Sequence, residues 1–73
     1  MRANEIVKEI MKEQKMTQQK LAESMGCKTS GAVRMMLSRE NAIAVETLLK
    51  AVGAMNGQLV IRDADGREYV ISE

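Results

Sequence analysis

Hydrophobic positions along this chain recur at helical spacing as far as Met55 and then switch to strand-like alternation. Ile6, Val7, Ile10 and Met11 fall three and four residues apart, with Glu5, Lys8, Glu9, Lys12 and Glu13 mostly outside the stripe. This pattern predicts a first amphipathic helix from an Asn4 cap to about Lys15. Met16 can pack back as a staple over a second helix capped by Thr17, whose inward residues are Leu21, Ala22 and Met25, and Gly26 supplies a turn. Thr29 can cap a third helix. At about 100° per residue its Ala32, Val33, Met36 and Leu37 gather on one side, and Ser30, Gly31, Arg34, Met35 and Ser38 on the other. After the connector Ser38-Arg39-Glu40-Asn41, a fourth helix is marked by Val45, Leu48, Leu49, Val52 and Met55, with Glu46 in its first turn and Asn56-Gly57 as its stop. Gly53 within it costs about 1 kcal/mol against alanine, which suggests a close approach by another element.

From Gln58 to Ile71 the alternation centres on Asp65-Gly66 and predicts a β-hairpin. A three-residue loop, Ala64-Asp65-Gly66, with Gly66 left-handed would pair Arg62 with Glu68, Ile61 with Tyr69, Val60 with Val70 and Leu59 with Ile71. This register makes both faces apolar, with Leu59, Ile61, Tyr69 and Ile71 on one and Val60 and Val70 on the other. A lone hairpin is marginal in water, so one face is expected on the helices and the rest against a second copy. Leu59, Val60, Ile61, Tyr69 and Val70 are then the expected dimer interface.

Residues 17 to 37 hold two short amphipathic helices broken by one glycine, the pattern of a helix-turn-helix. Thr17-Gln18, Leu21-Ala22, Gly26, Val33 and the helix from Val45 to Val52 resemble the Cro and phage-repressor (XRE) family of helix-turn-helix regulators over roughly residues 5 to 56. The resemblance implies a mainly α, compact four- to five-helix helix-turn-helix domain of the repressor DNA-binding type with a C-terminal β-hairpin. It is read as a single domain, 1–73, with a helical core over 4–56 and the hairpin over 58–72. It further implies that the third helix enters the major groove of double-stranded DNA, with Ser30, Gly31, Arg34 and Met35 toward base edges. Thr17, Gln18, Lys28, Thr29, Ser38, Arg39 and Asn41 would hold phosphates.

Arg34 can pair bidentately with guanine. Met35 has two readings, the edge of the core or a thymine methyl. The chain departs from the family pattern in having one residue more between Gly26 and Val33, assigned to Lys28, and in having Ala44 where a polar cap for the fourth helix is expected.

Charge sharpens this picture. The net charge is only +1, but residues 1 to 41 carry eight basic and five acidic side chains, +3, and residues 42 to 73 carry three basic and five acidic, −2. Positive potential therefore gathers on the motif while the tail repels phosphate. Seven methionines and one tyrosine, without phenylalanine or tryptophan, imply an aliphatic core with little surface for stacking single-stranded bases.

With no histidine, no phosphate-cradling glycine loop and no paired-cysteine spacing, the sequence offers no enzyme chemistry and calls for no cofactor or metal. Cys27, the lone cysteine, reads as a small semi-buried turn residue rather than a nucleophile. No apolar run approaches membrane-spanning length and the start lacks a signal-peptide core, so the chain reads as soluble and cytoplasmic. The expected function is a dimeric, sequence-specific regulator of transcription, most simply a repressor. The alternative is an antitoxin-like interaction module whose hairpin edge captures a partner protein by strand addition.

Overall fold

The structure, a computed structural model, describes residues 1–38 and 43–72. Among these, the elements run α1 (Ala3–Gln14), α2 (Gln18–Ser24), α3 (Gly31–Ser38), α4 (Val45–Ala54), β1 (Leu59–Arg62) and β2 (Glu68–Ile71).

Three helix ends close by the same backbone device. At the end of α1 the Met16 amide donates to Met11 O and the Lys15 amide to Lys12 O, at 2.8 and 3.2 Å. The same pair of bonds recurs after α2, from Cys27 to Ala22 O and Gly26 to Glu23 O, and after α4, from Gly57 to Val52 O and Asn56 to Gly53 O. Each is a Schellman motif, which needs a left-handed residue just past the helix. Lys15 (φ 54°), Gly26 (φ 81°) and Asn56 (φ 62°) fill that place. Only at Gly26 does the residue adopt it without a Cβ penalty.

The core forms where the four helices meet, around Val7, Met11, Leu21, Ala22, Val33, Met36, Leu37, Ile43, Ala51 and Met55. α1 contributes a narrower stripe than its pattern predicts. Val7 and Met11 are buried and Ala3 and Ile10 flank them, but Ile6 is exposed because it lies one position off the stripe. Asn4 is not the helix cap. It sits inside α1, behind Arg2 in the cap position, and its amide donates to Leu37 O at 3.3 Å. Gln14, at the other end of α1, donates to Met55 O at 2.8 Å. Both acceptors lie at helix C-termini, where carbonyls lack intrahelical donors, so α1 ties down the ends of α3 and α4 with two side-chain amides.

Thr17 caps α2 as expected, its hydroxyl accepting from the Lys20 amide at 3.1 Å, and half-buried Met16 packs against the core that contains Leu21. At α4 the cap position holds Ala44 without a side-chain bond. Val45 is exposed rather than inward: one turn of helix separates it from Leu48 and Leu49, which are only half-buried, and the deeply packed residues are Ala51, Val52 and Met55. Gly53 has nothing within 4 Å of where a Cβ would stand, so the expected close approach is absent there. The close approach is at Gly57, whose Cβ would meet Val52 Cγ1 at 2.9 Å.

The hairpin has the expected register, Leu59 with Ile71, Val60 with Val70, Ile61 with Tyr69 and Arg62 with Glu68. Asp63 and Arg67 close a three-residue loop. The Asp63 amide donates to Arg67 O, the Gly66 amide donates to Asp63 O, and Gly66 is left-handed at φ 84°. The Asp63 carboxylate organises the tip by accepting from the amides of Asp65 and Arg67, both at 2.9 Å. β1 rests on α4, and only Leu59 and Ile71 among the paired strand residues are half-buried. The expectation of two apolar faces holds for one. By alternation Arg62 and Glu68 share the second face with Val60 and Val70, and their ion pair makes it partly polar.

Candidate nucleic-acid interface

α2, the turn that follows it and α3 form the helix-turn-helix, and the turn is set by three local contacts. Gly26 reverses the chain, the Cys27 amide returns to Ala22 O at 2.8 Å, and half-buried Cys27 packs against the core. Lys28 and Thr29 then pass through solvent. The start of α3 differs by one residue from the sequence expectation. Ser30 O accepts the first helical bond, from the Arg34 amide at 2.9 Å, which makes Ser30 the positional cap. Thr29 Oγ1 still serves the helix end, accepting from the Gly31 amide at 3.3 Å.

α3 is anchored by Val33, Met36 and Leu37, all buried. Its solvent side carries Ala32, Arg34, Met35 and Ser38, so Ala32 is exposed although the helical wheel groups it with Val33, Met36 and Leu37. Met35 is 60% exposed and does not belong to the core cluster. Beside it, Ala32, Met35, Met36, Ile43, Ala44 and Thr47 border a groove of about 240 Å³ between α3 and the start of α4. This groove had no signal in the periodicity, because it arises from the packing of two helices.

Of the residues assigned to bases, Arg34 and Met35 are exposed, whereas Ser30 and Gly31 are half-buried at the helix start. Of those assigned to phosphates, Thr17, Gln18, Lys28, Thr29 and Ser38 are all exposed, and Arg39 and Asn41 lie outside the described residues. The hydroxyls differ in what they have left to offer. Thr17 and Thr29 accept from backbone amides, so each keeps its O–H as a donor. Ser38 donates to Met35 O at 3.2 Å, and a phosphate would have to compete with that carbonyl for the proton. Lys20, Lys28 and Arg34 add positive charge on exposed positions of the same segment, and its acidic residue, Glu23, accepts a hydrogen bond from Gln19.

No helix among the described residues is long and apolar enough to cross a membrane. No curated protein and no solved structure gives a significant match to the chain. A helix-turn-helix family profile does match, over residues 7–60, which spans α1 to the first strand of the hairpin. With its capped α2, its glycine turn and an α3 that buries one side and exposes the other, the chain belongs to the helix-turn-helix family of Cro/repressor (XRE) type, the DNA-binding regulators of transcription.

Proposed function

We propose that this protein is a sequence-specific, dimeric repressor that lays α3 in the major groove of a palindromic or near-palindromic operator. The observation that carries this reading is the two-sidedness of α3. Buried Val33, Met36 and Leu37 hold the helix rigidly while exposed Arg34 and Met35 are free to meet base edges. Arg34 reads guanine, Met35 contacts a thymine methyl, and Gly31 lets the backbone come close. Thr17, Gln18, Lys28, Thr29 and Ser38 hold phosphates, and Arg39 and Asn41 extend that set. Few long polar side chains reach the bases, so DNA shape supplies part of the specificity. The hairpin joins two subunits and sets two α3 helices one DNA turn apart, roughly 34 Å.

Selection of random duplexes, followed by fluorescence anisotropy over a salt series, tests this reading. Nonspecific binding weakens steeply with salt. Arg34→Ala costs about 1 to 3 kcal/mol on the selected site and flattens preference at one base pair, whereas Lys28→Ala weakens all sequences alike. Absence of duplex binding at low salt would overturn the regulator; an even loss over all base variants for Arg34→Ala would make Arg34 a phosphate contact.

A second reading draws on the same exposed hairpin, with Val60, Ile61, Tyr69 and Val70 all open to solvent. There the hairpin edge captures a different protein, as in an antitoxin-like module. A stable homodimer of the protein alone favours the regulator, and a monomer that assembles only with a foreign chain favours the module.

A further inference from the structure

The two faces of the hairpin are not equivalent as surfaces for a second copy. Val60 and Val70, expected from the sequence at the dimer interface, share their face in the observed register with Arg62 and Glu68, whose ion pair is already closed within the hairpin, and the surface proposed below leaves them out. The opposite face carries Leu59, Ile61, Tyr69 and Ile71. It leads to a groove of about 420 Å³ that Val45, Leu49 and Ile71 line, with Glu46, Lys50 and Ser72 at its border. Leu49, Leu59 and Ile71 are half-buried yet stand apart from the core cluster. Val45, Ile61 and Tyr69 are 57, 56 and 53% exposed. Ile71 belongs to both, so the groove along α4 adjoins the inner hairpin face and their exposed apolar side chains lie on one side of the molecule.

We infer that a second copy of this chain seats on this surface about a two-fold axis, α4 against α4 and inner hairpin face against inner hairpin face. The inference rests on the dimeric reading above and names its surface. Exposure supports it: Val45, Ile61 and Tyr69 on this surface are each more than half open to solvent.

Charge supports it independently. A two-fold interface must complement itself, because where residue i meets j, j also meets i. Glu46 and Lys50 lie one turn apart on α4, both exposed at the border of the groove, and neither is ion-paired with another described residue. Antiparallel α4 helices place Glu46 of each copy against Lys50 of the partner subunit, so one surface supplies both halves of each pair.

Sedimentation of the full chain tests the surface. The unaltered protein sediments as a dimer; Leu49→Lys and Tyr69→Lys raise its dissociation constant about tenfold or more with the helical spectrum intact, and Val70→Lys leaves it unchanged. Glu46→Lys weakens the dimer, and adding Lys50→Glu restores it. This charge exchange uses exposed positions, so it decides the matter even where a lysine in the groove disturbs folding. A monomeric unaltered protein, a dimer split by Val70→Lys but not by Tyr69→Lys, or a charge exchange without rescue would each overturn the inference. A duplex-binding measurement on the same samples separates the two levels. A monomer that binds duplex DNA loses this surface and keeps the DNA-binding reading of α3, and a dimer that binds no duplex keeps this surface and loses the regulator.

Discussion

The helical body and the hairpin of this protein are stabilised by different means. Every fully buried side chain among the described residues lies between Val7 and Met55, while the paired strand residues are at most half-buried. The body is held by side chains that have left water. The hairpin is held by its backbone ladder, by the Asp63 carboxylate at its tip and by a limited contact with α4. A segment with little burial opens at low free-energy cost. The exposed side of α3 therefore has a rigid support of its own, whereas the hairpin leaves Val60, Ile61, Tyr69 and Val70 open to solvent.

The largest expected effect is on the body side of this comparison. Leu21 is fully buried where α2 meets the other helices, and Leu21→Ala is expected to cost about 3 kcal/mol in urea unfolding. Ile61→Ala, at an exposed strand position, is expected to change the unfolding free energy by less than about 0.5 kcal/mol at concentrations where the chain is monomeric. Equal losses from the two would break the comparison. Next comes Asp63→Ala, which removes the acceptor of two backbone amides and is expected to cost about 1 to 2 kcal/mol. The loss is confined to the hairpin. Amide exchange should rise at Asp65, Arg67 and the strand ladder and stay unchanged in α2 and α3; a loss of protection throughout would mean that the two regions unfold together.

Two glycines at the end of α4 sharpen the boundary. Gly53→Ala meets open space and should stabilise the protein by about 1 kcal/mol, because alanine is the better helix former. Gly57→Ala drives a Cβ against Val52 Cγ1 and should lower the melting temperature instead. The smallest effect belongs to the hairpin surface. The Arg62–Glu68 pair is well exposed, and a double-mutant cycle is expected to yield about 0.5 kcal/mol or less. A coupling of several kcal/mol would show that its face is covered.

Elements with strong local signals were legible in the chain itself. The Thr17 cap, the Gly26 turn and the register from Leu59–Ile71 to Arg62–Glu68 follow from side-chain chemistry within a few residues, and the structure has each of them. The exposed positions of Arg34 and Met35 follow from the period of α3. Asn4 was misleading, because a residue suited to capping its own helix instead caps another element's carbonyl 33 residues away. Ala32 and Val45 were misleading for a related reason. Periodicity gives the direction of a side chain around its helix, but whether a neighbour covers that direction depends on how the helices cross.

The sequence by itself determined the order of helices and strands, the capped and glycine-broken motif, the hairpin register and the charge asymmetry between the two halves. Each is a local property, decided by backbone conformation and side chains close in the chain. Only the tertiary structure decided that α1 ties down the ends of α3 and α4 through Asn4 and Gln14. It also decided that Gly57 rather than Gly53 is the glycine required by packing, and that Val45 and Leu49 join the inner hairpin face in one groove. The Gly57 contact depends on how the helix end closes over Val52, and the others depend on distances between elements remote in the chain, which arise when apolar stripes compete for burial in one core; hydrophobic periodicity contains no information on which stripe is left uncovered.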